Sequence, residues 1–322
     1  MTVLVIAEHD RGEVPIATFE ALTAARTLAA SMDDTVEVVA LGDESAQIAP
    51  DLALHGAEVV HTIMSPVLSD YGPEAYAEAV VALVNAISPS AVVASGTSRG
   101  NEVLAGVAAR LDVAFAANVV AAEKSAGGFS VTRQQWGGSL LEDVDLDARV
   151  AVLSFAHHSI EPTEAPAAGT VSTFNVDLPD ELARTVIKDR TVTSAGVTLA
   201  TAPVVVSGGR GMGNAEAFAM LEELAELLGG RVGCSRAVTN NGWRNHSDQV
   251  GQTGTRIAPE VYLACGISGA TQHWVGAMGS KNVIAINTDA EANLVTKAGH
   301  AVIADLHEIV PAIIEEVKKR QG

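Results

Sequence analysis

The sequence predicts an α/β protein of two domains, each a mostly parallel, doubly wound sheet. Short β-branched runs alternate with longer Ala/Leu/Glu stretches, as in repeated βαβ units. The runs are apolar almost throughout, as expected of strands covered by helices on both faces. The alternation lapses near residue 200 and then resumes, and 322 residues suit two cores at roughly 150 residues each. Hydrophobic residues make up 48% and charged residues 18%, which excludes a disordered or collagen-like chain.

Strand Thr2–Ala7 leads into a helix over Pro15–Met32, Val36–Leu41 into Glu44–His55, Val59–Ile63 into Pro73–Ile87, and Ala91–Ser95 into Ser98–Leu111. Pro73 opens its helix where a missing N–H is harmless, and Pro89 follows the helix end. From Val113 to Val176 the Gly127-Gly128 and Gly137-Gly138 pairs separate short strands without a helical period, which predicts an antiparallel extension. The segment Ile187–Ala202 is polar, Thr-rich and aperiodic. A linker is therefore expected over 191–203, between an N-terminal domain 1–190 and a C-terminal domain 204–322. The second domain reads as strands Val204–Ser207, Arg231–Cys234, Val261–Gly266, Asn282–Ile286 and Ala301–Ala304, with helices Ala215–Leu228, Gly269–Met278 and Leu306–Arg320.

Twenty Lys and Arg against 39 Asp and Glu leave a net charge of −19, which repels a phosphate backbone and argues against nucleic acid as a partner. The imbalance is uneven: residues 1–203 carry 10 basic against 27 acidic side chains, and 204–322 carry 10 against 12. An anionic ligand therefore belongs with the C-terminal domain. Cys234 and Cys265 are too few for a disulfide framework and lack metal-binding spacing, so both are expected as buried small hydrophobes in a reducing compartment. The apolar run before Glu8 is far shorter than a membrane span of about 20 residues, so a cytoplasmic protein without direct membrane insertion is expected.

In open α/β sheets ligands sit beyond the carboxyl ends of the strands, so the residues just after each strand are the candidates. Gly208-Gly209-Arg210-Gly211-Met212-Gly213 joins a strand to a helix with Asn214 as N-cap, and its backbone N–H groups could hold an anion beside Arg210. It matches neither the dinucleotide fingerprint nor a P-loop. Gly96-Thr97-Ser98-Arg99-Gly100 matches a nucleophile elbow literally, which makes a serine hydrolase using Ser98 the rival reading. No oxyanion segment accompanies it, and Ser98 reads better as a helix N-cap. Gly233-Cys234-Ser235-Arg236-Ala237 resembles such an elbow less well. His157 and His158, adjacent at a strand end, are expected to face opposite sides without a third ligand, so no metal site is predicted. The densest constellation is Asp248-Gln249-Val250-Gly251-Gln252-Thr253-Gly254 together with Ser268-Gly269-Ala270-Thr271-Gln272-His273. There Ser268 to Ala270 would offer unpaired backbone N–H groups to a pyrophosphate, and His273 a hydrogen bond to a ligand carbonyl.

At these residues the chain resembles the α subunit of electron transfer flavoprotein. The matching segments are VVSGGRG, VGCSRA at 232–237, DQVGQTG at 248–254, APEVYLACGISGATQH at 258–273, VIAINTDAEA at 283–292 and ADLHEIVP at 304–311. They cover essentially all of 203–322, and the N-terminal part agrees more loosely, through its opening strand and SGTSRGNEVLAGVAARL. The sequence departs from the family pattern at Cys234, Asn240-Asn241, Trp274, Thr288 and Ala290 to Leu294.

The resemblance implies a heterodimer with a β subunit and one redox FAD held chiefly by the C-terminal domain. It implies a carrier rather than an enzyme, taking electrons from acyl-CoA dehydrogenases or related flavin dehydrogenases in fatty acid β-oxidation and passing them to a quinone oxidoreductase. An NADH-linked bifurcating complex is the alternative within the family. The FAD contacts it implies are Arg210, Ser235, Arg236, Val250, Gly251, Gln252, Thr253, Ser268, Gly269, Ala270, Thr271, Gln272, His273, Asn287, Asp305 and Leu306. Among these, Arg236, Thr253 and His273 would tune the flavin, Arg236 by its charge, Thr253 by a hydroxyl near N5 and His273 at the pyrimidine carbonyl.

Overall fold

A computed structural model describes residues 1–188 and 197–321, in two units divided at Thr191/Val192. The expected boundary positions 189–196 lie outside the described residues.

In the first unit the order is β1 (Thr2–Ile6), α1 (Ile16–Ala30), β2 (Thr35–Leu41), α2 (Ala49–Leu54), β3 (Val59–Ile63), α3 (Pro73–Ile87), β4 (Ala91–Ser95) and α4 (Ser98–Leu111). Strands β5 (Phe115–Ser125), β6 (Gly128–Gln135), β7 (Leu140–Leu146), β8 (Ala151–Phe155) and β9 (Thr170–Thr173) follow. Among the described residues they form one sheet in the order β7-β6-β5-β8-β4-β1-β2-β3-β9. Strands β1, β4 and β8 are buried at every residue, which is why their sequences show no alternation. One face packs on α1 through Leu22, Ala25 and Leu28, the other on α3 and α4 through Val80, Leu83, Leu104 and Val107.

Two expectations are corrected here. The stretch from Val113 to Val176 is antiparallel only through β5, β6 and β7, whereas β8 pairs parallel with β4 and β5, and β9 parallel with β3. The all-apolar β8 needs cover on both faces and finds it in the sheet interior, which a hairpin extension does not offer. The second helix spans only Ala49–Leu54, because Gly42 adopts a positive φ of 97° and Pro50 sets a later helix start.

The second unit runs β10 (Val204–Gly208), α5 (Phe218–Leu227), β11 (Arg231–Cys234), α6 (Arg236–Asn240), β12 (Val261–Cys265), α7 (Thr271–Ala277), β13 (Asn282–Asn287), α8 (Asn293–Lys297), β14 (His300–Ile303) and α9 (Leu306–Gln321). The order is β11-β10-β12-β13-β14, with every pairing parallel. Helices α5 and α9 cover one face through Phe218, Leu221, Leu224, Val310 and Ile314. Strand order reverses between β10 and β12, which opens a crevice at their carboxyl ends. Residues 197–203 belong to this unit rather than to a free linker: Ala202 is buried, Leu199 packs against the core, and the Val197 carbonyl accepts a bond from Arg231.

Candidate functional site

The loop after β10 and the loop after β12 meet backbone to backbone at the switch point. Gly209 N–H donates to the Cys265 carbonyl at 2.8 Å and Gly211 N–H to the Gly266 carbonyl at 3.1 Å. A Cβ on Gly209 would lie 2.2 Å from the Gly266 oxygen, so only glycine permits this crossing. The Met212 and Gly213 N–H groups close a tight turn onto Gly209 and Arg210. The expected anion cradle over Gly208–Gly213 is thereby narrowed, since the N–H groups of Gly209, Gly211, Met212 and Gly213 are consumed in packing and turn formation and only that of Arg210 has no partner in this loop among the described residues. Asn214 caps not the helix proper but the turn before it, its Oδ1 accepting from Ala217 N–H at 2.8 Å, and α5 starts only at Phe218.

Free donors lie instead after β12. Among the described residues, the backbone N–H groups of Ser268, Gly269 and Ala270 have no hydrogen-bond partner, and Ser268 and Ala270 are exposed. Gly269 holds a positive φ of 74° against the start of α8, where a Cβ would meet the Leu294 nitrogen at 2.4 Å. The side chains of Arg210 and Arg236 are exposed and have no ion-pair partner among the described residues. Arg244, by contrast, is held by Glu222 at 2.6 Å and Asp248 at 2.9 Å.

The 248–254 segment is tied to the same edge. Val250 N–H donates to the Cys234 carbonyl at 2.9 Å and Gln252 N–H to the Gln272 carbonyl at 2.7 Å. Buried Gln249 accepts from the Thr239 hydroxyl at 2.8 Å and donates to the Thr253 hydroxyl at 3.0 Å, which fixes Thr253 at the exposed rim beside Gln252. His273 points inward and is buried, its Nε2 2.7 Å from the Tyr262 hydroxyl. Burial lowers its pKa to about 4, opposed weakly by the Val250 backbone, so the ring is neutral at neutral pH. Nδ1 lies beside that backbone without a hydrogen bond of normal geometry among the described residues. With Tyr262 donating to Nε2, the ring proton sits on Nδ1, which lies buried beside the Val250 backbone.

Other expected contacts have structural partners. Asn287 donates to the Ile267 carbonyl at 3.2 Å and accepts from Asp289 N–H at 3.1 Å, which braces the β12 loop. Asp305 accepts from His307 N–H at 2.9 Å and caps α9, whose first residue, Leu306, is buried. Ser235 precedes α6 without a side-chain cap bond, next to Arg236. Cys234 and Cys265 are buried, and burial pushes both thiols up to about 12. Tyr262 escaped sequence reading, and the sequence marks Gln249 only as one member of the polar 248–254 loop, not as the residue that positions Thr253. The available signal was a side chain with a polar tip in an otherwise apolar strand, and a Gln beside a glycine-rich loop.

In the first unit the N-cap of α4 is Thr97, not Ser98: its hydroxyl accepts from Gly100 N–H at 2.9 Å and donates to half-buried Glu8. Ser98 is exposed and makes no hydrogen bond among the described residues, so no base activates it. The expectation for His157 and His158 is also overturned. The strand ends at Phe155 and His158 turns to a positive φ of 61°, which brings both imidazoles to Glu20 of α1, at 3.1 Å and 3.2 Å. Burial alone would raise the Glu20 pKa, but the two rings and the His158 backbone N–H lower it to about 2.

Comparison with known proteins adds an independent finding. The family model for the electron transfer flavoprotein domain matches residues 3–179, and that for the electron transfer flavoprotein FAD-binding domain matches residues 198–278. The chain is 34% identical over 320 residues to the electron transfer flavoprotein subunit alpha of Bacillus subtilis, covering 98% of this chain and 97% of that protein. It is 34% identical over 316 residues to the subunit of the same name from Syntrophomonas wolfei, covering 98% of each. It is 35% identical to the probable mitochondrial subunit of Caenorhabditis elegans, covering 96% of this chain and 92% of that protein.

Proposed function

Because the chain belongs to the electron transfer flavoprotein family as an α subunit, a FAD-binding electron carrier that acts with a β subunit, we propose a specific division of labour among its residues. FAD, when bound, supplies one- and two-electron redox chemistry. The observation that carries the reading is the coincidence, at one sheet edge, of backbone N–H groups and guanidinium groups that have no partner among the described residues. Ser268, Gly269 and Ala270 hold the pyrophosphate through their free N–H groups, with Arg210 supplying positive charge. Thr271, Gln272 and Leu306 complete the floor. Ser235, Val250, Gly251, Gln252 and Thr253 line the isoalloxazine side, where Gln249 keeps the Thr253 hydroxyl in place. Neutral His273, held by the Tyr262 hydroxyl, supports this edge from behind, and Arg236 contributes the charge. Asn287 and Asp305 act by bracing the two loops, with a hydroxyl of the ligand as a further partner.

The first unit, with most of the negative charge, faces the β subunit. The complex takes electrons from acyl-CoA dehydrogenases or related flavin dehydrogenases and delivers them to a quinone oxidoreductase, in the cytoplasm and in fatty acid β-oxidation. Among the described residues no helix is long and apolar enough to cross a membrane. Purification with the β subunit, followed by anaerobic mixing with a reduced acyl-CoA dehydrogenase, tests the reading. Loss of the oxidised flavin absorbance, at a rate that falls at least 10-fold in Arg236→Ala, is the expected result. Bleaching with the same rate in that variant would overturn the role given to Arg236.

A further inference from the structure

The two adjacent histidines of the first unit form a cluster with Glu20 to which the function proposed above assigns no role. Strand β8 ends with Phe155, and the turn after it is locked by Ser159, whose N–H and hydroxyl both bond the Ala156 carbonyl, at 3.2 Å and 2.6 Å. His158 takes the left-handed conformation there, and its N–H donates to Glu20 at 2.9 Å. This reversal stacks the imidazoles with ring centres 3.5 Å apart and directs each Nδ1 to a different oxygen of one carboxylate. Glu20 comes from α1, 137 residues away in sequence, and its side chain is only 7% exposed.

We propose that Glu20, His157 and His158 form a binding site for a divalent first-row metal ion of the zinc type, with two imidazole Nδ1 ligands and one carboxylate. The three ligand atoms all lie within 4.8 Å of one another. A tetrahedral zinc ion about 2.0–2.1 Å from each ligand has ligand-to-ligand edges of about 3.3 Å. The nitrogen-to-oxygen separations of 3.1 Å and 3.2 Å are already close to that, so the ion replaces the shared protons with little movement. Coordination at Nδ1 puts the ring proton on Nε2. The Nε2 of His158 is buried without a partner among the described residues, so the exchange breaks no bond there. Imidazole with carboxylate suits zinc, nickel, cobalt or copper rather than calcium or magnesium. The His157 side chain is 19% exposed and provides the path of entry, and Glu8 is near enough to attract positive charge there. Bound metal would cross-link α1 to the turn after β8.

The test is calorimetric titration of Zn2+ into the untagged full-length chain, purified with its partner subunit and stripped with EDTA. One strong equivalent per chain is expected, weakened at least about 10-fold in His157→Ala and in Glu20→Gln. X-ray absorption at the zinc edge should show two imidazole ligands. Zinc should raise the thermal midpoint of the wild type and leave that of His157→Ala unchanged. Since His157 lies at the surface of the cluster, an unchanged circular dichroism spectrum and co-purification with the partner subunit will show that the first unit of that variant stays folded. No saturable equivalent in the wild type, or one of unchanged affinity in His157→Ala, would overturn the site and mean that the three side chains form a hydrogen-bonded cluster only.

Discussion

His273→Gln removes a buried titratable ring, and with it a pH dependence of stability whose size follows from the site. In the folded chain burial holds the imidazole at about 4, against a reference value of 6.5. Between those values the unfolded chain binds a proton that the folded chain does not. The contribution of His273 is thus fully present above pH 6.5 and is lost as pH falls toward 4. From about pH 7.5 to about pH 5 the loss spans roughly 1.5 pK units, or about 2 kcal/mol. Urea unfolding of the flavin-free chain, followed by the fluorescence of Trp243 and Trp274 in the second unit, reads this directly. Carboxylates such as Glu20 titrate in both proteins and cancel in the comparison. The wild type should therefore lose roughly 2 kcal/mol more than His273→Gln over that interval. Equal losses would refute the argument that His273 is a neutral, desolvated imidazole in the folded chain.

Arg236→Ala removes an exposed guanidinium without a partner among the described residues, so FAD affinity should fall by about 10- to 100-fold, the range for a charged hydrogen bond, while the thermal midpoint of the flavin-free chain stays put. Equilibrium dialysis and a melting curve check the two halves, and a lowered midpoint would assign the residue a structural role instead. Thr97→Ala should cost about 1 kcal/mol in urea unfolding as the loss of a helix cap, and Ser98→Ala less than about 0.5 kcal/mol. The reverse order would restore Ser98 as the cap. Cys234 and Cys265, buried and with thiols near 12, should resist iodoacetamide in the native chain and both react in urea, as counted by mass spectrometry.

Much of this was legible along the chain because parallel strands and crossover helices are coded locally. Apolar runs such as Ala91–Ser95 and Ala151–Phe155 announce buried strands, and Pro73 marks a helix start. The rule that ligands lie beyond strand ends led to Ser268–His273, where the free N–H groups are found. Where the reading failed, the deciding contact came from elsewhere in the sequence. Gly208–Gly213 looks like an anion loop until the carbonyls of Cys265 and Gly266 take up its donors. Ser98 and Thr97 are both plausible caps, and the choice is made by Glu8, which holds the Thr97 hydroxyl in place.

By itself, then, the sequence determined the fold class, the switch point at which the candidate site is sought and the uneven charge, since periodicity and composition are properties of neighbours along the chain. Only the tertiary structure decided which groups at that site are free. Whether Arg236 is unpaired, whether His273 is neutral against Tyr262, and whether His157 and His158 converge on Glu20 depends on desolvation and on partners 11 or more residues away. Hydrogen-bond capacity and pKa are set by the surroundings that folding assembles, and no local pattern carries them.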